Sequence, residues 1–276
     1  MEYLRNVALY TMGPGLIPQI ILTLIAIVAL YVIITVFESI AEAVRNYDNL
    51  TTVLFDETTG VQQLISQSPD SAKLINNSVN EANGMEFSYS MYIFIDPDTF
   101  ENSTTTTKLK HIMHKGVKDA FPLMAPGLFV HNNKNTLRLY MNSVTKWDDY
   151  VEIPNVPIAK WFHLVISMSG KYLDVFVNGN ITVRQEYTTI PKLNAGDIYV
   201  MYPLRFPRTD DDLTTTGLNI EGPMRGMISR LKYYAFALNY SQIDSLYREG
   251  PSKKIITKSY TETPPYFRDD WWVTRY

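Results

Sequence analysis

The hydrophobic pattern divides the chain into two regimes. From Ile20 to Phe37 the sequence reads IILTLIAIVALYVIITVF, and only Thr23, Tyr31 and Thr35 carry polar side-chain atoms. No Asp, Glu, Lys or Arg occurs from Asn6 to Phe37. A helix that is apolar all round has no face to offer water. Such a run rises about 27 Å, close to the hydrocarbon thickness of a bilayer. Leu16 and Ile17 extend it, and Pro18 suits a first helical turn, where its missing N–H has no partner to lose. The run is longer than the apolar core of a cleavable leader, and the ValPheGluSer that ends it is a poor cleavage site. The expectation is one uncleaved membrane-spanning helix over 16–37, preceded by a flank over 1–15. Ile40, Ala43, Val44 and Tyr47 keep helical spacing beyond it. A Thr-, Gln- and Ser-rich stretch follows, so 38–71 reads as a juxtamembrane helix and stalk. Arg5 before the span and Arg45 after it leave the orientation open.

From about residue 72 the period changes from helical to two, which marks an all-β domain. Glu86 to Ile95 places Phe87, Tyr89, Met91, Ile93 and Ile95 on one face, and Asp96-Pro97 ends it. Further strands are expected at Leu109–His114, Gly127–Val130, Thr136–Met141, Tyr150–Ile153, Ile198–Met201 and Met224–Phe236. The segment KWFHLVISMSGKYLDVFVNG holds two strands joined at Ser169-Gly170. It ends in Asn178-Gly179, a strong hairpin signal because both residues accept positive φ. Ile181 to Glu186 would pair back. A short helix is expected over Ser241–Glu249, with Ser241 and Asp244 as a capping-box-like pair and Gly250-Pro251 as its stop. Many strands with one short helix imply a two-sheet antiparallel sandwich over 72–250.

Several segments in this order carry a resemblance. They are EFSYSMYI, PGLFV with NTLRLY, KWFHLVIS with YLDVFVNG, and GPMRGMISRLKYY before ALNYSQI and LYREG. Together, along about 72–251, they resemble the concanavalin A-like, laminin-G-type jelly roll. The resemblance implies that fold; it does not by itself imply a function.

Composition narrows the chemistry. The chain of 276 residues has 25 Lys+Arg against 28 Asp+Glu and a net charge of −3, which argues against nucleic acid as a partner. It contains no cysteine, which excludes disulfides, thiolate metal sites and a cysteine nucleophile. Glucanase relatives of the fold carry paired carboxylates on one strand, aimed at one glycosidic bond. No such triplet occurs: Asp148-Asp149 and Asp210, Asp211 and Asp212 fall in loops, and Asp174 stands alone. The expectation is a protein without catalytic activity. His111 and His114, three apart on a strand, would face opposite ways, which is unsuited to zinc. His163 reads as part of a cross-strand contact.

Laminin-G and pentraxin relatives imply calcium at loop carboxylates on the sandwich rim, for which Asp210 and Asp212 are the candidates. A solvated acidic turn balanced by Arg205 and Arg208 is the stronger reading of the same loop. Trp147 beside Asp148 suits ligand recognition as well as packing. The tail, 251–276, is extended around Pro264-Pro265 and rich in aromatic residues. Its Tyr266, Phe267, Trp271, Trp272 and Tyr276 either pack back or dock a neighbour, and the reading leans to a neighbour.

Three functions follow. The first is a membrane-anchored structural or interaction protein. Its sharpest form, drawn from where membrane-anchored laminin-G-like domains occur and from the lack of cysteine, is a minor capsid protein of a large DNA virus. It would link a protein shell or scaffold to an internal virion membrane. The second is a cell-surface carbohydrate-binding or adhesion protein, with a glycan partner. The third is a membrane-bound glycosidase, which lacks its carboxylates.

Overall fold

The computed structural model of the protein describes residues 16–71, 73–77, 85–101, 108–187, 189, 191–192, 194–207, 218–257 and 260–261. The chain divides into a helical unit ending at Asn49 and a β unit from Leu50 onward. Helix α1, Leu16–Leu50, is continuous over 35 residues. Its segment Gln19–Val44 has a mean hydropathy of 3.0 and buries nothing, so it is long and apolar enough to cross a membrane. Thr23 Oγ1 donates to the Gln19 carbonyl at 2.7 Å and Thr35 Oγ1 to that of Val32 at 2.9 Å. Both hydroxyls are thereby satisfied within the helix, as an apolar surrounding requires.

The β unit holds two sheets. In chain order the strands are β1 Thr51–Thr59, β2 Gln63–Ile65, β3 Glu86–Ile95 and β4 Leu109–Gly116. Next come β5 Met124–His131, β6 Leu137–Tyr140, β7 Tyr150–Ile153 and β8 Trp161–Ser169. Then follow β9 Tyr172–Val177, β10 Asn180–Glu186, β11 Asp197–Val200 and β12 Arg205–Phe206. The last are β13 Ile220–Pro223, β14 Gly226–Tyr234, β15 Ile255–Ile256 and β16 Tyr260–Thr261. One sheet runs β10-β9-β8-β3-β14-β1-β15. The other runs β16-β2-β11-β4-β5-β6-β7, with β13 alongside β4 and β12 alongside β13. Most pairings are antiparallel; β15 on β1, β16 on β2 and β13 on β4 are parallel. The fold is an all-β sandwich.

Alternation builds the core. Phe87, Tyr89, Met91, Ile93 and Ile95 of β3 and Phe162, Leu164, Ile166 and Met168 of β8 point inward. They meet Ile112, Leu128, Val130 and Leu139 from the other sheet. The opposite face of the β3 sheet is covered too. Helix α2, Tyr240–Glu249, packs Ile243 and Leu246 on Val165, Phe176 and Tyr234. The Tyr92 hydroxyl then donates to the carbonyls of Leu246 and Tyr247 at 2.8 and 2.6 Å, tying the helix end to the sheet.

Two expectations change, and the start of the tail finds its place. Thr51–Thr59 and Gln63–Ile65 are strands of the sandwich rather than stalk, so the sandwich begins at Thr51, well before residue 72. Register shifts between Val53 and Phe55 and between Phe55 and Thr58 break the period of two there. Thr58 and Thr59 are buried, and Thr58 Oγ1 bonds Ser229 Oγ at 2.9 Å. The cap of α2 is Asn239 with Gln242, two residues before the Ser241–Asp244 pair, because the Asn239 side chain reaches the Gln242 N–H at 3.0 Å. The tail returns to its own sandwich at Ile255–Ile256 and Tyr260–Thr261. Tyr266, Phe267, Trp271, Trp272 and Tyr276 lie outside the described residues.

Candidate functional site

The outer face of the β8-β9-β10 end of the first sheet carries a groove of about 290 Å³. Strand pairing explains its floor. Ser167 on β8 lies opposite Asp174 on β9, which lies opposite Arg184 on β10. The three side chains form one row across the strands. Arg184 Nε and Nη2 donate to the two Asp174 oxygens at 2.6 Å each, a bidentate pair. Tyr172, Asp174 and Phe176 alternate along β9, so all three face the groove.

Aromatic rings form the walls. Tyr172 is 45% exposed, and the Arg184 guanidinium lies 5.8 Å from its ring centre. Tyr240, the first residue of α2, is 63% exposed and stands edge-on to Phe176 at 5.6 Å. The groove thus offers two half-wet rings with a planar donor–acceptor pair between them. Arg184 has N–H donors beyond the two spent on Asp174, and each carboxylate oxygen can accept again. Adjacent hydroxyl groups on a ring match that plane, and the apolar face of the same ring matches a tyrosine.

Sequence-predicted residues fall elsewhere. Trp147 stands edge-on to Phe121 at 4.9 Å and packs on the small core that holds Leu109, Phe129 and Phe206. Its ring is partly buried there and does not line the groove. Asp148 beside it is exposed. Asp210, Asp211 and Asp212, and with them the calcium loop, lie outside the described residues. Asp174, read as solitary, is the centre of the groove.

The histidines are structural. A register shift between His111 and Met113 turns His111 and His114 to the same side, contrary to the simple strand alternation. Tyr202 N–H donates to His111 Nδ1 at 3.0 Å, so His111 Nε2 donates to His114 Nδ1 at 2.8 Å. His114 Nε2 then donates to the Val117 carbonyl at 2.8 Å. All four ring nitrogens are used, and both rings are neutral. His163 Nε2 meets Ser90 Oγ at 2.8 Å, but both residues are buried beneath α2, and among the described residues no carboxylate orients the ring. This pair is a cross-strand contact rather than an activated nucleophile. Among the described residues no cluster of three or more His, Asp or Glu is arranged to hold a metal ion.

No family model matches the chain. A sialidase of Trypanosoma cruzi is 26% identical over 117 residues, covering 40% of this chain and 10% of that protein. The botulinum neurotoxin serotype D binding domain superposes over 72% of this chain and 42% of its own, at 14% identity and a TM-score of 0.45. The serotype D ligand-binding domain in complex with N-acetylneuraminic acid covers 60% and 36%, at 14% identity and 0.43. The Trypanosoma rangeli sialidase with the inhibitor DANA covers 60% and 23%, at 19% identity and 0.38. The chain spans less than half the length of each of these proteins.

Proposed function

We propose that this chain is a membrane-anchored glycan-binding protein on a laminin-G-type sandwich, recognising sugar without transforming it. The observation that carries this reading is the groove of Tyr172, Asp174, Arg184 and Tyr240. Two exposed rings flank a bidentate acid–base pair, the arrangement that meets both faces of a pyranose. The similarity over 117 residues to a protein named a sialidase supports a sugar as the ligand class. Binding is favoured over hydrolysis because Asp174, the one acid among the described residues lining this groove, is held by Arg184 in a bidentate pair, while the usual cleavage route uses two carboxylates. Helix α1 supplies the anchor. A role in a capsid shell gains nothing from the fold, the groove or the relatives.

The test is a glycan array probed with the full chain in lipid nanodiscs. Binding is expected to drop roughly 5- to 30-fold in Tyr172→Ala and in Tyr240→Ala, the cost of about 1–2 kcal/mol for losing a stacked ring at a recognition site. The thermal midpoint should hardly move, since both rings are half in water. Retention of binding in a calcium chelator assigns it to the groove, and loss assigns it to the Asp210–Asp212 loop. No glycan retained, or full binding by both variants, would overturn the reading.

A further inference from the structure

A second and larger concavity lies between the sheets. It has a volume of about 530 Å³ and is separate from the outer groove. Phe87 and Tyr89 of β3 and Tyr233 of β14 form one wall, and Lys115 of β4 and Ala125 of β5 the other. Leu74 and Ile75 close over it from the segment that follows β2. Gln67, Asn76, Asn77 and Asn194 add amide groups to this lining, and of its two lysines Lys192 is exposed while Lys115 is buried.

The buried ammonium is unusual. Lys115 is only 7% exposed. Its Nζ donates to both the backbone and the side-chain oxygens of Asn194. Asn194 is fixed in turn, because its Nδ2 donates to the carbonyls of Lys115 and Ala125 at 3.1 Å each. These are neutral acceptors. Among the described residues no carboxylate touches Lys115. Asp197 acts on it only from a distance, and its Oδ1 accepts the Gln67 N–H at 2.7 Å. Burial brings the Lys115 amine down to about 8. Buried charges in folded proteins are ordinarily paired with an opposite charge. A lysine amine has three donors, and Asn194 occupies two.

We propose that the inter-sheet cleft binds a small amphipathic carboxylate, its acid group on Lys115 and its apolar body against Leu74, Ile75 and Phe87. The cleft has the size range of small-molecule sites and sets an apolar wall of Leu74, Ile75 and Phe87 beside polar groups that include the buried Lys115.

The probes are 4-phenylbutyrate and its neutral amide, 4-phenylbutanamide, titrated by calorimetry into the full chain in nanodiscs. The carboxylate is expected to bind roughly tenfold or more tightly than the amide, as a charge-assisted pair with a desolvated amine requires. Lys115→Met should abolish that preference, and Lys115→Arg should keep most of it. Affinity for the carboxylate should fall as pH rises through about 8, where the amine loses its proton. The other titratable groups facing the amine or the cleft are Asp197, Lys192, Tyr89 and Tyr233. Burial pushes both phenols up, so they stay neutral through that range. Lys115→Met keeps all four groups, so the pH dependence should vanish in it. Equal binding of acid and amide, an unchanged preference in Lys115→Met, or no binding of either probe would overturn the proposal. The outer-groove variants Tyr172→Ala and Tyr240→Ala should leave this binding untouched.

Discussion

Gly226→Ala is expected to lower the thermal midpoint of the sandwich by roughly 10 °C, a loss on the order of 4 kcal/mol. Gly226 opens β14 and pairs with Ile95 of β3, the two central strands of the first sheet. Its φ is +152°, and a Cβ built there would stand 2.0 Å from the Phe94 carbonyl oxygen. Two costs combine. The backbone conformation strains any L side chain by about 1–3 kcal/mol. The contact is with backbone of a buried central strand, which cannot swing aside as a flexible side chain would. Gly222→Ala separates the two. Gly222 has a φ of +71°, and nothing lies within 4 Å of the place a methyl group would take. It should therefore lose only about 1 kcal/mol, the conformational part. Thermal unfolding of the two variants measures the difference. Equal midpoints would show that β14 and β3 can part without cost, which contradicts the packing described.

Much of this sandwich could be read from the chain before its structure. Strands β3 and β7 have the bounds that alternation gives, because Asp96-Pro97 and the flanking turns punctuate them. The β9–β10 hairpin turns at Asn178-Gly179, with φ of +52° and +80°, as those residues favour. Bulges hid the rest. In β1 they interrupt the alternation of TTVLFDETT, so its buried threonines look like stalk. In β4 the same device brings His111 and His114 together.

The groove was hidden for a related reason. Counting back from a two-residue turn puts Val183 opposite Asp174. A register shift between Ile181 and Val183 puts Arg184 there instead. Sequence reasoning sees a lone acid; the bulge gives it its partner. Tyr240 joins them only because α2 folds back over the sheet, a tertiary fact with no local signal.

Acid is expected to destabilise the protein through its histidines at a higher pH than through Glu152. All four histidines are fully buried. Burial, above other causes, pushes His114, His131 and His163 down to about 4 from an ordinary 6.5. His111 moves well down in the same direction, with His114 adding to the effect of burial. The positive charges of Lys134 and Arg138 oppose protonation of His131, and Lys232 opposes that of His163. Between pH 6.5 and 4 the unfolded chain binds protons that the fold refuses. Stability is therefore full above about pH 6.5 and falls as pH drops toward 4, by roughly 3 kcal/mol for each of His114, His131 and His163. Three of them approach the whole stability of a typical domain, about 5–15 kcal/mol.

Glu152 acts in a lower window. Burial alone would raise Glu152, but the hydrogen bonds and charges of Arg138 and Lys134 outweigh it and hold the acid at about 2. Its contribution is therefore lost only below 4.5. A fall in the denaturant midpoint between pH 6.5 and 4.5 thus belongs to the histidines. His163→Gln tests one of them, since an amide at this position can still meet Ser90 while taking up no proton. The variant should flatten that part of the profile by roughly 2 kcal/mol relative to the parent, whatever packing it loses at neutral pH. A parent profile that is level from pH 6.5 to 4.5 would mean that these rings admit a proton freely. The sealed interior built on β3, β8 and α2 would then be wrong.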